Sequence, residues 1–175
     1  MKRYRWTWAI VLAVAIGLAC SGPANASDPG SQQDKMFRAS IGLFMASDIP
    51  EGVSADTGFT ISLERSLSRT QSGEVLVGVR YSRYGVSDEW DAADVSLFHP
   101  TVEYHWLLGS EKQTYIGLGI GMVFASMTGD NGKSNDIAGS FVVGKDFGPA
   151  FAELRTVGGG KRAEQGVILA VGSRF

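Results

Sequence analysis

The last ten residues, Gly166-Val167-Ile168-Leu169-Ala170-Val171-Gly172-Ser173-Arg174-Phe175, alternate in character. Counting back from Phe175, the side chains of Ser173, Val171, Leu169 and Val167 share one face. Arg174, Gly172, Ala170, Ile168 and Gly166 share the other. Successive side chains of a strand point to opposite sides, so the segment reads as one β-strand with an apolar face and a small or polar face. The strand stops on an aromatic residue.

Working back from it, the same period recurs and no sustained helical period does. Eight stretches carry it: Lys35–Met45, Gly58–Leu67, Glu74–Tyr84, Asp94–Leu107, Gln113–Ala125, Ile137–Phe147, Ala150–Val157 and Gly166–Phe175. Each is close to the roughly 9–11 residues that a tilted strand needs to cross a bilayer. The fifth is the clearest: Ile116, Leu118, Ile120, Met122 and Phe124 oppose Tyr115, Gly117, Gly119, Gly121 and Val123. In the first, Phe37, Ala39, Ile41 and Leu43 oppose Arg38, Ser40 and Gly42. In the second, Phe59, Ile61 and Leu63 oppose Thr60, Ser62 and Glu64. In the third, Val75, Val77, Val79 and Tyr81 oppose Gly78, Arg80 and Ser82. In the fourth, Phe98, Val102, Tyr104 and Trp106 oppose His99, Thr101, Glu103 and His105. Pro100 lies within that fourth stretch and has no ladder donor, so a bulge or a break is expected there.

The connections alternate in length. Ala46–Thr57, Gly85–Ala93, Ser126–Asp136 and Gly158–Gln165 are long; Ser68–Gly73, Leu108–Lys112 and Gly148-Pro149 are short. Long outer loops and short periplasmic turns are the habit of bacterial outer-membrane barrels. An even strand count returns the C-terminus to the periplasmic side.

The start of the chain fits export. Lys2, Arg3 and Arg5 precede an apolar run from Ala9 to Ala19, followed by Ser21-Gly22-Pro23 and Ala24-Asn25-Ala26. That order is a secretory signal peptide with cleavage expected after Ala26. The apolar run is too short for a spanning helix, which needs roughly 20 residues. The domain reading is a signal peptide over 1–26, a periplasmic segment over 27–34 and a barrel over 35–175. Losing Lys2, Arg3 and Arg5 takes the 16 basic residues to 13 against 18 acidic ones, a net of −5. Nucleic acid calls for concentrated Lys and Arg, so no nucleic-acid partner is expected. The single cysteine, Cys20, lies in the leader. Its alternative reading is a lipidated N-terminus, although Leu18 is two residues before it and a lipobox usually places Leu three before.

Period two alone does not separate a lipid-embedded barrel from a soluble, secreted lipocalin-like carrier, which is its inside-out relative. Glycine decides. Gly42, Gly78, Gly117, Gly119, Gly121, Gly166 and Gly172 fall on the polar face, where they weaken a solvated strand but make room inside a narrow barrel. The long neighbours that need this room are Arg38, Arg80, Arg155 and Arg174 with Glu64, Glu103 and Glu153. Mixed charge on one face suits a filled lumen, because buried charges must be paired. Tyr104, Trp106, Phe147 and Phe175 fall near periplasmic strand ends, and Tyr81 and Phe124 near outer ends, as an aromatic girdle would.

The leader, the run Tyr115-Ile116-Gly117-Leu118-Gly119-Ile120-Gly121 and the closing Gly166–Phe175 strand resemble the small eight-stranded outer-membrane barrel superfamily. That is the group of the OmpA membrane domain and the opacity-type surface proteins. The fold class expected is all-β, an eight-stranded antiparallel up-and-down transmembrane β-barrel after a cleaved signal peptide. The resemblance implies a Gram-negative-type outer membrane and insertion by the barrel assembly machinery. It also implies a role in adhesion, membrane integrity or lipid handling. Ser173 departs from the aromatic or apolar residue common two before the end.

Candidate chemistry is sparse. His99-x-Thr101 resembles the His-x-Ser of outer-membrane lipid A deacylases, but such a pair should face lipid and the register turns it inward. A hydrogen-bonded His–Glu plug is the plainer reading. A metal site from His99, Glu103 and His105 fails on reach, because those positions stretch over about 20 Å of strand. The outer loops hold Asp48, Glu51, Asp56, Asp88, Glu89, Asp91, Asp130, Asp136 and Glu164 against Lys133, Lys161 and Arg162. They suit plain solvation, or a surface gathering divalent cations among lipopolysaccharide phosphates. Trp90 suits either a binding contact or the membrane interface. Gly158-Gly159-Gly160 lacks the Lys and helix of a phosphate loop and reads as flexible loop. No catalytic, cofactor or metal residue is assigned. The expectation is a monomeric, non-enzymatic, porin-like cell-surface barrel among outer-membrane lipid and lipopolysaccharide. A lipid-modifying enzyme, a small-solute channel and a lipocalin-like carrier are the alternatives.

Overall fold

The structure, a computed structural model, describes residues 37–47, 49, 51–87, 92–128, 133–159 and 165–175. The signal peptide, Cys20, the 27–34 segment, Trp90 and the loop residues Asp48, Asp88, Glu89, Asp91, Asp130, Gly160, Lys161, Arg162 and Glu164 lie outside the described residues.

A strand in hydrocarbon must satisfy its backbone without water, so the sheet has to close. The described residues form β1 (Phe37–Ala46), β2 (Ser54–Ala55), β3 (Gly58–Arg69), β4 (Gly73–Ser87), β5 (Ala92–Leu108), β6 (Thr114–Met127), β7 (Lys133–Phe147), β8 (Ala150–Gly158) and β9 (Gly166–Arg174). The two-residue β2 is a lip strand that folds the first outer connection back against the top of β4. The other eight are antiparallel to their neighbours and close into a barrel, with β4 paired to both β3 and β5 and β1 paired to both β3 and β9. The seam between first and last strand runs from Arg38↔Arg174 to Ala46↔Gly166. It is sealed at the end by reciprocal 3.0 Å backbone hydrogen bonds between Phe37 and Phe175.

All eight expected strands are present. β4 and β7 run a turn further toward the long-connection end, to Ser87 and from Lys133, because their hairpins keep pairing beyond the apolar band. Short turns close the other end. Gly109 (φ 78°) and Gly148 (φ 73°) supply left-handed backbone there, which Gly adopts without steric cost.

The alternation sorts as expected. Leu63, Val102, Leu118, Ile120, Ile137, Leu154 and Leu169 face outward and are about half exposed or more. Arg38, Glu64, Arg80, Glu103, Arg155 and Arg174 are buried inside. Trp106, Phe147, Phe175 and Phe124 are exposed on the outer wall near the strand ends. Tyr104 stacks edge-on against Trp106, with centroids 4.8 Å apart. An exterior this apolar over a charged interior is solvated by lipid and not by water.

Pro100 behaves differently from the bulge that was one expectation. Toward β4 the ladder runs unbroken through Val79↔Pro100. Toward β6 it skips from Phe98↔Phe124 to Thr101↔Gly121 with no change of register, so β5 and β6 are unpaired only at His99 and Pro100. The missing N–H costs one side of the strand its ladder and leaves the other intact. The bulge lies instead in the β3–β4 pairing, between Ser66 and Ser68.

The lipid-facing wall gives the first prediction. Leu118→Cys or Leu169→Cys, in the barrel reconstituted in bilayers, should resist a water-soluble maleimide and react with a membrane-permeant one. Rapid labelling by the water-soluble reagent at either site would contradict the assignment of the two faces.

Candidate functional site

The inner wall is built in two layers, and each follows from which residues alternation sends inward. Near the periplasmic end and the middle, the inward positions are charged. Arg155 on β8 lies against Glu103 on β5, and its Nη2 reaches Glu64 (3.3 Å) and Glu153 (3.1 Å). Arg38 on β1 donates to Glu153 (3.1 Å) and to the Tyr115 hydroxyl (2.7 Å), and lies 3.4 Å from Glu64. Arg80 on β4 bridges Glu64 and Glu103, each at 3.4 Å. Three carboxylates are thus shared among three guanidiniums, which is how charges persist away from water.

His105 joins this layer. Arg38 Nη1 lies 3.2 Å from His105 Nδ1, and Arg can only donate. Nδ1 therefore accepts, the ring proton sits on Nε2, and Nε2 donates to Glu103 at 3.1 Å. The ring stacks on Tyr115 with centroids 4.8 Å apart and planes 6° from parallel. The His–Glu plug expected from the alternation is present, with His105 as its histidine. Closer to the periplasm, Arg174 holds Glu74 through two 3.0 Å bonds and Asp146 through one of 3.3 Å. Arg38 also lies over the Phe151 ring, 4.1 Å from its centroid.

Toward the outer end the inward positions turn apolar. Phe44, Tyr84, Val95, Leu97, Val123, Val157 and Ile168 pack into a core, with Phe44 and Tyr84 stacked at 5.1 Å. The charged layer is thus capped by an apolar plug, to which Val123, Ile168 and Ala170 of the expected inner face contribute. Where the layers meet, Arg80 Nη1 and His99 Nε2 are buried without a protein partner.

The glycines make the space. A Cβ at Gly117 would collide with the His105 ring, and one at Gly119 would lie 2.5 Å from Ser140 Oγ and 2.6 Å from Glu103 Cγ. At Gly144 it would collide with Tyr115, and at Gly172 with Phe151. The small side of each strand marks where an opposing strand sends a large side chain.

Sequence reasoning placed seven of these charges inside and missed Glu74 and Asp146. Both keep the parity of inward neighbours, Glu74 with Arg80 and Asp146 with Val142, so alternation carried the signal. Their position at strand ends hid it. His99 and Thr101 point inward and are buried, each only 4% exposed, so neither meets lipid. Among the described residues no three His, Cys, Asp or Glu side chains converge as a metal site.

No family model and no curated protein matches the sequence. Solved structures do. The outer membrane protein Ail of Yersinia pestis, in a phospholipid bilayer nanodisc, matches at TM-score 0.51 and 10% identity over 81% of this chain and 100% of that one. OprG of Pseudomonas aeruginosa gives 0.46 and 11% over 80% and 92%. Ail in complex with the heparin analogue sucrose octasulfate gives 0.46 and 14% over 79% and 97%. The nanodisc structure supports the architecture. Fold, two-faced wall and filled lumen define a class: small eight-stranded antiparallel β-barrels with a lipid-suited outer wall. Within that class the likeness is of fold alone.

Arg155→Met should destabilise the barrel by about 3–5 kcal/mol, because it leaves buried carboxylates short of a partner. Adding Glu103→Gln should recover part of that loss. Urea unfolding in lipid vesicles, followed by tryptophan fluorescence, measures both; an unchanged midpoint in the single variant would contradict a cohesive network. Gly117→Val should cost about 1–3 kcal/mol by overpacking against His105 and Val142 in the same assay.

Proposed function

We propose that this protein is a closed, non-enzymatic barrel that serves the outer membrane as a structural and surface-presenting element. The observation that carries the reading is the filled bore. Arg38, Arg155, Tyr115 and His105 are each at most 1% exposed, so their side chains are packed away from water. An eight-stranded barrel is just wide enough for its side chains to fill it. The acidic Glu51, Asp56 and Asp136 lie exposed at the outer end, where they can order divalent cations against lipopolysaccharide phosphates. In this reading the barrel is a monomer inserted by the barrel assembly machinery, which meets the Gly166–Phe175 strand. Nucleic acid is no partner of it. Both histidines are buried and inward, which leaves a lipid-modifying activity no imidazole base at the lipid face.

Planar-bilayer recording tests the closed bore. Wild-type barrel should give no discrete conductance steps in symmetric salt. Arg155→Ala combined with Glu103→Ala should produce small, brief openings. Steady steps from the wild type would overturn the proposal in favour of a small-solute channel.

A further inference from the structure

The missing β5–β6 pairs leave a mark on the lipid face. Pro100 is a small outward side chain among larger ones. Around it Val79, Val102, Ile120, Met122 and Ile137 frame a trough of about 630 Å³ that is almost wholly apolar. Its floor reaches Gly78 and Gly121, which have no side chain.

A second hollow of about 350 Å³ continues from it toward the outer end, and Phe124 lines both. Its character changes with height. Phe98 and Phe124 form an aromatic base, with centroids 6.3 Å apart. Above them come Ser96, Ser126, Asn135 and Lys133. Tyr81 donates to Ser96 at 3.2 Å on one side. Among the described residues neither hollow is lined by a carboxylate. Apolar below, aromatic at the interface, then hydroxyl, amide and ammonium above is the polarity profile of a lipid that bears a phosphate.

We propose that this groove across β4–β7 is a specific seat for lipopolysaccharide. An acyl chain lies in the Pro100 trough and a glucosamine phosphate meets Lys133, with Ser126 and Asn135 as hydrogen-bonding neighbours. The long connections and the aromatic pair put Lys133 at the outer-leaflet head-group level, where lipopolysaccharide is the phosphate-bearing lipid. Charge complementarity selects an anion, and the trough selects an acyl chain. The proposal rests on the reading of the outer wall as the bilayer face.

The test is methyl NMR of the full barrel in phosphatidylcholine nanodiscs, titrated with deep-rough lipopolysaccharide. Saturable shifts should be confined to Met122, Ile120, Ile137 and Val102. Leu43, Leu169 and Val171, on the opposite wall, should not move. Lys133→Glu should weaken the apparent affinity about tenfold, the loss of one charge-assisted contact. Val102→Trp, which fills the trough, should abolish the localised shifts. Shifts spread evenly around the wall would mean annular lipid only and overturn the seat. So would an unaltered Lys133→Glu titration, or equal localised shifts from phosphatidylglycerol. These failures occur in a folded, bilayer-embedded barrel and leave the class intact; a chain that gives no dispersed spectrum in nanodiscs would overturn both.

Discussion

Closure of the backbone ladder between β1 and β9 is the constraint on which the rest depends. Hydrocarbon offers no partner to an unpaired N–H or C=O, so an open edge is not an option at membrane depth. Nine cross-strand pairs, Arg38↔Arg174 through Ala46↔Gly166, and the mutual bonds of Phe37 and Phe175 remove that edge. Once the cylinder closes at eight strands, its bore has a fixed width, and alternation sends every second side chain into it. The packing then has one task, which is to fill that width with groups that tolerate each other. Large inward residues sit beside glycines on the neighbouring strand for this reason: His105 over Gly117, Tyr115 over Gly144, Phe151 over Gly172.

The two layers of the lumen divide the work. The ionic layer links five walls at once, since Arg38, Glu64, Arg80, Glu103, Glu153 and Arg155 come from β1, β3, β4, β5 and β8. A buried pair is weak evidence for net stability, because desolvation offsets much of the attraction. A network that ties non-adjacent strands nonetheless fixes their relative height, which ladder bonds between neighbours do not do alone. The apolar core above it, around Phe44, Tyr84 and Ile168, closes the mouth without needing partners. Two of the four buried polar atoms left unpartnered among the described residues, Arg80 Nη1 and His99 Nε2, sit where one solution gives way to the other; the other two, Arg38 Nε and Arg155 Nε, lie within the ionic layer.

Most of the fold was legible because it is set by period two, which is local. The ten closing residues show it, and so does the Gly117-Leu118-Gly119-Ile120-Gly121 run. Which arginine meets which carboxylate was not legible. Arg38 meets Glu153 across 115 positions of sequence, and that meeting depends on the tilt and stagger of strands that never touch. Phe44 and Tyr84 of the apolar cap escaped for a related reason: they carry inward parity but lie near strand ends, where apolar residues look like the start of a loop or a girdle. Pro100 announced a defect but not its side. The side is decided by which neighbour the absent N–H would have faced, a property of register and not of composition.

Register is also where the charges act most strongly on specificity. Slipping a strand by one residue moves every side chain to the opposite face. For β1 that slip would carry Arg38 into hydrocarbon and bring Phe37 into the ionic layer. For β8 it would expose both Glu153 and Arg155 to lipid. A charge at the bilayer centre costs several kcal/mol, and a glycine slot opposite a misplaced aromatic would be left empty. Both errors accumulate along a strand, so the wrong registers are penalised together at several positions. Neutral alternation such as that of Ile116 to Phe124 would carry no such penalty on its inner face, where glycine and lipid-compatible Val123 are indifferent to a slip. β6 is accordingly held by its neighbours: by Glu103 and His105 of β5, which occupy the space above Gly119 and Gly117, and by Ser140 of β7. The strand with the cleanest sequence signal is thus the one whose height is set from outside itself.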